Sequence, residues 1–163
     1  MGQWLVQLFR KFFPKEIEEL EYMPYEPLTP EKSEEIKEKL KPDYLTLLCE
    51  AIRDFEGKPG DRNYRNNNPG NVRYSSVGYL PKYGVVKRDA QNFAIFKDYE
   101  TGWLYLKNLI IHKATTHPNW NLVSLMKEYA PAEDHNEPVG YATYLGKRLN
   151  VNPYTFTLKN LLA

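Results

Sequence analysis

The stretch from Asp43 to Gly57, DYLTLLCEAIRDFEG, places Leu45, Leu48, Cys49, Ile52 and Phe55 at intervals of three and four residues. That spacing is the stripe of a helix buried on one side, and such a helix folds only where other elements cover it. Further along, DYETGWLYLKNLIIHKA opens on an N-cap candidate at Asp98 and aligns Trp103, Leu106 and Ile110. NLVSLMKEYA then aligns Leu122, Leu125, Met126 and Tyr129, and VGYATYLGKRLN aligns Tyr141, Leu145 and Leu149. Between the first and second of these helices, residues 57–92 are loop-rich. Within and just after them NVRYSS reads as extended and NFAIFKD alternates like a strand, with Gly78 and Gly84 placed for turns. The fold class expected is α+β, mostly helical, with a small β element inserted after the first core helix.

A chain of 163 residues with 42% apolar content is enough for one such domain, taken as residues 43–163. Residues 1–42 read as an extension. MGQWLVQLFRKFFP carries Trp4, Leu5, Leu8, Phe9, Phe12 and Phe13 at helical spacing, which suits an amphipathic helix docked on a partner, on a membrane surface or on its own domain. Its basic residues follow the apolar run and Gln3 and Gln7 interrupt it, the reverse of a secretory signal. Pro24, Pro27 and Pro30 prevent a continuous helix, so residues 15–30 read as a semi-stiff linker, and Thr29 followed by Pro30 starts a charged helix. Lys and Arg total 22 against 21 Asp and Glu, a net charge of +1 that gives no global attraction for nucleic acid. Cys49 is the single cysteine, so no internal disulfide forms. His112, His117 and His135 lack ligand spacing, and neither a metal nor another cofactor is expected.

Glu56 falls four residues after Ile52 and seven after Cys49, on the apolar face of its helix, with Gly57 as the C-cap. Partial burial and the negative helix end both disfavour the carboxylate and raise its pKa. A carboxylic acid protonated near neutral pH is the form required of a general acid at a glycosidic oxygen. A glutamate turned outward at a frayed helix end would look the same from position alone. Asn66, Asn67 and Asn68 lead into NPGN, a turn with Pro69 second and Gly70 third. Uncharged amides suit sugar hydroxyls and acetamido groups, although asparagine clusters also favour turns for local reasons.

FEG closing a helix, then NNNPGNVRY, FAIFKDYETGWLYL and YAPAEDHNEPVGYATYL, together resemble in order and spacing the lysozyme-like domains of phage virion proteins and related lytic transglycosylases. The resemblance covers residues 43–153, and NNNPGN and YAPAEDHN are its most specific pieces. It implies a goose-lysozyme-like fold, with a helical lobe facing a small β lobe across a peptidoglycan-binding cleft. Glu56 would then be the catalytic acid, protonating the oxygen between N-acetylmuramic acid and N-acetylglucosamine. Asn68, Gly70 and Asn71 would hold glycan from the turn, and Tyr129 and Asn136 would come back to the cleft to bind substrate, Tyr129 bonding a sugar or the acid unless it is simply a core tyrosine of its helix. A hydrolase would need a second carboxylate roughly 5 to 9.5 Å away. Asp54, Asp61, Glu133 and Asp134 are candidates, with Asp54 expected to point away. Without one, a transglycosylase using a single glutamate fits.

The partner implied is bacterial peptidoglycan, with virion or tail proteins contacting residues 1–42, and the protein is expected in the virion or delivered to the periplasm or cell wall. A non-catalytic peptidoglycan-binding or structural virion module is the competing reading.

Overall fold

The first buried stripe forms helix α1, Tyr44–Glu56, begun by Asp43, whose carboxylate accepts the Thr46 amide at 2.9 Å. This computed structural model describes residues 43–74, 83–132 and 136–162. The N-terminal amphipathic helix, the proline-spaced linker and the charged helix after Thr29 lie outside the described residues, as do Gly78, Glu133, Asp134 and His135. After α1 come a one-turn helix α2 (Arg62–Arg65), strands β1 (Val85–Arg88) and β2 (Ala94–Phe96), then α3 (Tyr99–Thr116), α4 (Leu122–Tyr129) and α5 (Pro138–Leu149). A 3₁₀ turn at Leu158–Leu161 closes the described chain. It is therefore mostly helical with a two-stranded antiparallel sheet.

The helices begin and end where their side chains dictate. Asp98 caps α3 by accepting the Thr101 amide at 2.7 Å, and Asn121 caps α4 by accepting that of Ser124 at 2.9 Å. Pro138 opens α5, and Asn150, left-handed at φ 55°, ends it. Helix α5 packs on both α1 and α4, and α3 packs on α1. Leu48, Ile52, Leu106, Ile110, Leu125, Met126 and Leu145 are fully buried where they meet. One member of the first stripe departs from expectation. Phe55 is 45% exposed, because at the last turn of α1 its ring is covered on one side, stacked 3.7 Å from Tyr141.

A second, smaller core gathers Val72, Val85, Ala94 and Phe96 under Tyr105 and Leu109 of α3. The strands pair Val85 with Phe96 and Arg88 with Ala94, with an irregularity between Val85 and Lys87. Asp89 holds their turn, its carboxylate accepting the amides of Gln91 and Phe93 at 3.0 and 2.9 Å. Residues 72–74 extend along the free side of β2, through the Ala94 amide to the Val72 carbonyl (3.0 Å) and the Tyr74 amide to the Asn92 carbonyl (2.8 Å).

The three consecutive asparagines tie the segment after α2 to this β element. Asn66 Nδ2 donates to Asp89 at 2.7 Å, and Asn67 Nδ2 to the Phe96 carbonyl at 3.2 Å. Asn68 is buried; its Nδ2 donates to the carbonyls of Val72 and Ala94, both at 2.9 Å, and its Oδ1 accepts the Val72 amide at 2.9 Å. Asn67 adopts a left-handed backbone, φ 51°, and its carbonyl lies directly against Gly102 of α3.

Alanine inside a helix is ordinarily worth about 1 kcal/mol over glycine. At Gly102 a methyl group would collide with the Asn67 carbonyl, a backbone atom that cannot step aside without moving the asparagine segment. Gly102→Ala is therefore expected to lower stability by about 1–3 kcal/mol, the range for overpacked sites. Urea unfolding of the two proteins reads the sign directly.

Candidate active site

Glu56 is the last residue of α1 and sits half-buried in a cleft of about 520 Å³. Its position follows from how α1 stops. The Gly57 amide returns to the Arg53 carbonyl at 3.2 Å, and Asn63, fully buried, donates to the same carbonyl at 3.0 Å. A side chain at position 57 would meet Asn63 Oδ1 at 2.5 Å, so glycine is required here by close approach rather than by a left-handed backbone.

Two neutral groups grip the carboxylate. Tyr141 of α5 donates its hydroxyl to Oε1 at 2.8 Å, and Asn71 donates Nδ2 to Oε2 at 3.0 Å. Asn71 is itself left-handed, φ 46°, and its Oδ1 has no partner among the described residues. Burial raises the pKa of Glu56 above the ordinary carboxyl value; the bonds from Asn71 and Tyr141 and the charge of Arg62 work against that without cancelling it. The Tyr141 phenol is held well above its usual range by burial and by the neighbouring Glu56, so it stays protonated and donates.

The turn expected at NPGN forms, with the Asn71 amide returning to the Asn68 carbonyl at 2.9 Å. Tyr129, at the end of α4, donates its hydroxyl to the Gly70 carbonyl at 2.7 Å, and a methyl at position 70 would strike that hydroxyl. Gly70 thus lets α4 clamp the turn that aims Asn71 at Glu56. Tyr129 serves the acid through this turn, its hydroxyl committed to Gly70 rather than to Glu56, and its ring meets Tyr141 edge-on at 6.5 Å.

Of the residues singled out in the sequence, Glu56, Gly70, Asn71, Tyr129 and Asn136 all line the cleft. Asn136 donates to the Pro131 carbonyl at 3.2 Å. Asn68 does not line it: its amide is buried and committed to the chain's own backbone, so it supports the turn from beneath. Asp54 is turned to Arg53 and Arg148, at 2.7 and 2.9 Å, as its position on the helix implies. Asp61 accepts the Lys58 amide at 2.9 Å.

Glu128 of α4 is the second carboxylate lining the cleft among the described residues, and it is ion-paired with Lys113 of α3. Periodicity gave no reason to select it, since it lies on the exposed side of α4. Tyr141 was legible only as a core residue. A tyrosine on a buried stripe must still place its hydroxyl, and that requirement is the signal that it faces a polar partner. Among the described residues no three His, Cys, Asp or Glu side chains gather in a way that could hold a metal ion.

No family model, curated protein or solved structure matches this chain.

Two predictions follow from the carboxylate's surroundings. A carboxyl whose folded pKa lies above its unfolded value, about 4.5, favours folding fully below that pH and loses this contribution as pH rises through the folded value. Glu56→Gln, which keeps the neutral shape, should match the parent at pH 4 and exceed it above, by up to about 1.4 kcal/mol for each unit of pKa elevation. Denaturation midpoints from pH 4 to 8 measure this. Tyr141→Phe removes a donor that favours the ionised form, so the Glu56 pKa should rise further; ¹³C NMR titration of its carboxyl would show no movement if the hydroxyl contributes nothing.

Proposed function

We propose that this protein cleaves the glycan strands of bacterial peptidoglycan, acting at the β-1,4 bond between N-acetylmuramic acid and N-acetylglucosamine with Glu56 as the acid. The observation that carries this reading is a half-buried glutamate in an open cleft, with raised pKa, held on both oxygens by uncharged donors. A raised pKa favours the protonated form, the one that delivers a proton to a leaving oxygen. The lysozyme-like arrangement expected from NNNPGN and YAPAEDHN agrees with a helical part and a small β part meeting around that glutamate.

The reaction begins when the Glu56 proton passes to the glycosidic oxygen as the bond to the anomeric carbon breaks. The remaining carboxylate then serves as base. In the lytic route it takes the proton from the muramyl C6 hydroxyl, whose oxygen closes on C1 to form a 1,6-anhydro ring. We favour this route over hydrolysis because the other described carboxylate of the cleft, Glu128, is already matched to Lys113. Virion or periplasmic delivery, with residues 1–42 docking on tail or other virion proteins, completes the proposal.

Purified cell walls incubated with the protein should release muropeptides ending in anhydromuramic acid, identified by mass spectrometry. Glu56→Gln should lower turnover by about 10²- to 10⁴-fold, the usual contribution of a general acid. Reducing ends in place of anhydro ends would assign a hydrolase. Walls bound but left intact by the parent protein would favour the non-catalytic module.

A further inference from the structure

The side chain that faces Glu56 from the turn is pinned at one end only. Asn71 Nδ2 donates to Glu56 Oε2 at 3.0 Å and lies 3.4 Å from the Glu56 carbonyl. Its Oδ1 is buried and has no hydrogen-bond partner among the described residues. Asn63 Oδ1 is also buried without a partner, but it lies against Gly57 rather than against the carboxyl. Asn68, three positions before Asn71, shows the opposite case: backbone groups hold both ends of its carboxamide, so it cannot turn without breaking three bonds.

The backbone of Asn71 is fixed by its amide bond to the Asn68 carbonyl and by the Tyr129 clamp on Gly70. What remains free is the terminal torsion of the carboxamide, a soft and roughly two-fold rotation. The orientation shown suits an ionised Glu56, whose Oε2 accepts from Nδ2. While Tyr141 donates to Oε1, a proton gained by Glu56 goes to Oε2, where its hydrogen meets the hydrogens of Nδ2. A carboxylic acid needs an acceptor, and half a turn of Asn71 presents one in Oδ1.

The other groups around the carboxyl come from four elements. The phenols of Tyr129 on α4 and Tyr141 on α5 are held well above their usual range by burial and by Glu56, so neither titrates alongside it. Arg62 of α2, Arg73 after the turn, and the paired Lys113 of α3 and Glu128 of α4 are the remaining charged residues lining the cleft.

We propose that the Asn71 carboxamide turns over with the charge of Glu56, donating Nδ2 to the carboxylate and accepting with Oδ1 from the acid. Asn71 is thereby a positioning residue that steadies Glu56 in both protonation states. Its part in a reaction rests on the glycan-cleaving reading, whereas the coupling itself rests on the geometry.

A ¹³C NMR titration first locates the Glu56 midpoint. Neutron diffraction from crystals of the parent protein, at about two pH units either side of that midpoint, then reads the deuterons on Asn71 and Glu56. Nδ2 is expected against Oε2 on the alkaline side, and Oδ1 against a deuterated Oε2 on the acid side. One orientation at both pH values would overturn the proposal. Crystals of Glu56→Gln should show a single orientation throughout; a turn that persists there follows some other group and overturns it equally.

A second variant separates a turning amide from a fixed donor. A fixed donor lowers the pKa of the carboxyl it faces, whereas a group that bonds both forms equally leaves it unmoved. Asn71→Gly, which keeps the left-handed backbone accessible, should therefore shift the Glu56 midpoint by less than about half a pH unit, and a larger shift contradicts the turning amide. If the amide turns but cell walls stay intact, the enzymatic reading falls and the coupling stands. If walls are cleaved and the amide keeps one orientation, the coupling falls and the enzymatic reading stands.

Discussion

The carboxamide of Asn68 is the junction on which the site depends. Buried, and bonded to both backbone groups of Val72 and to the Ala94 carbonyl, it locks the turn after α2 to strand β2. Everything that reaches Glu56 from that side passes through this turn. Gly70 offers its carbonyl to Tyr129, and Asn71 swings back to the carboxylate. With its amide groups all paired to backbone, Asn68 avoids the cost of a buried polar side chain and makes the turn rigid. The left-handed conformations at Asn67 and Asn71 are strained for most side chains, and asparagine tolerates them. The run of asparagines thus answers two physical demands at once, hydrogen-bonding capacity and backbone conformation.

The helical frame was readable because α1, α3, α4 and α5 each bury one stripe, and α1, α3 and α4 begin on a capping side chain. Asp98 behaves as the cap its position suggests, and Leu48, Cys49 and Ile52 are buried as their spacing requires. Glu56 was readable for the same reason, since a carboxylate in phase with an apolar stripe has to be partly desolvated. The partners of that carboxylate were not. Tyr141 lies 85 positions away and Asn71 reaches it through a left-handed turn, so neither is fixed by local periodicity. Helix α2 is a single turn, too short to leave a repeating pattern in the sequence, and the asparagines' distant carbonyl partners are a product of the tertiary fold. Phe55 misled the stripe because a helix end needs cover on only one side.

Three carboxylates in this domain show how surroundings assign different states to one chemical group. Asp54 is met by two guanidinium groups; burial opposes ionisation there, but Arg53 and Arg148 prevail and hold its pKa below the ordinary value. Asp89 likewise resists burial through the amides of Phe93 and Gln91, the Asn66 side chain and Arg62. At Glu56 burial prevails instead, because the groups that hydrogen-bond its carboxylate, Asn71 and Tyr141, are neutral. Placing a guanidinium in direct contact with Glu56 would make it another structural carboxylate.

That neutrality bears on a mechanism in which one glutamate acts first as acid and then as base. Such a residue has to be held in both protonation states. A guanidinium only donates and would oppose the acid form. A hydroxyl both donates and accepts, so Tyr141 can bond either form of the group it faces. The Asn71 carboxamide offers Nδ2 to the carboxylate, and half a turn about its terminal torsion would present the unpartnered Oδ1 to the protonated acid. Reorienting one amide costs far less than rebuilding an ion pair in a partly dry cleft. An acid flanked by Asn71 and Tyr141, rather than by arginine, is therefore the arrangement a proton-cycling glutamate needs.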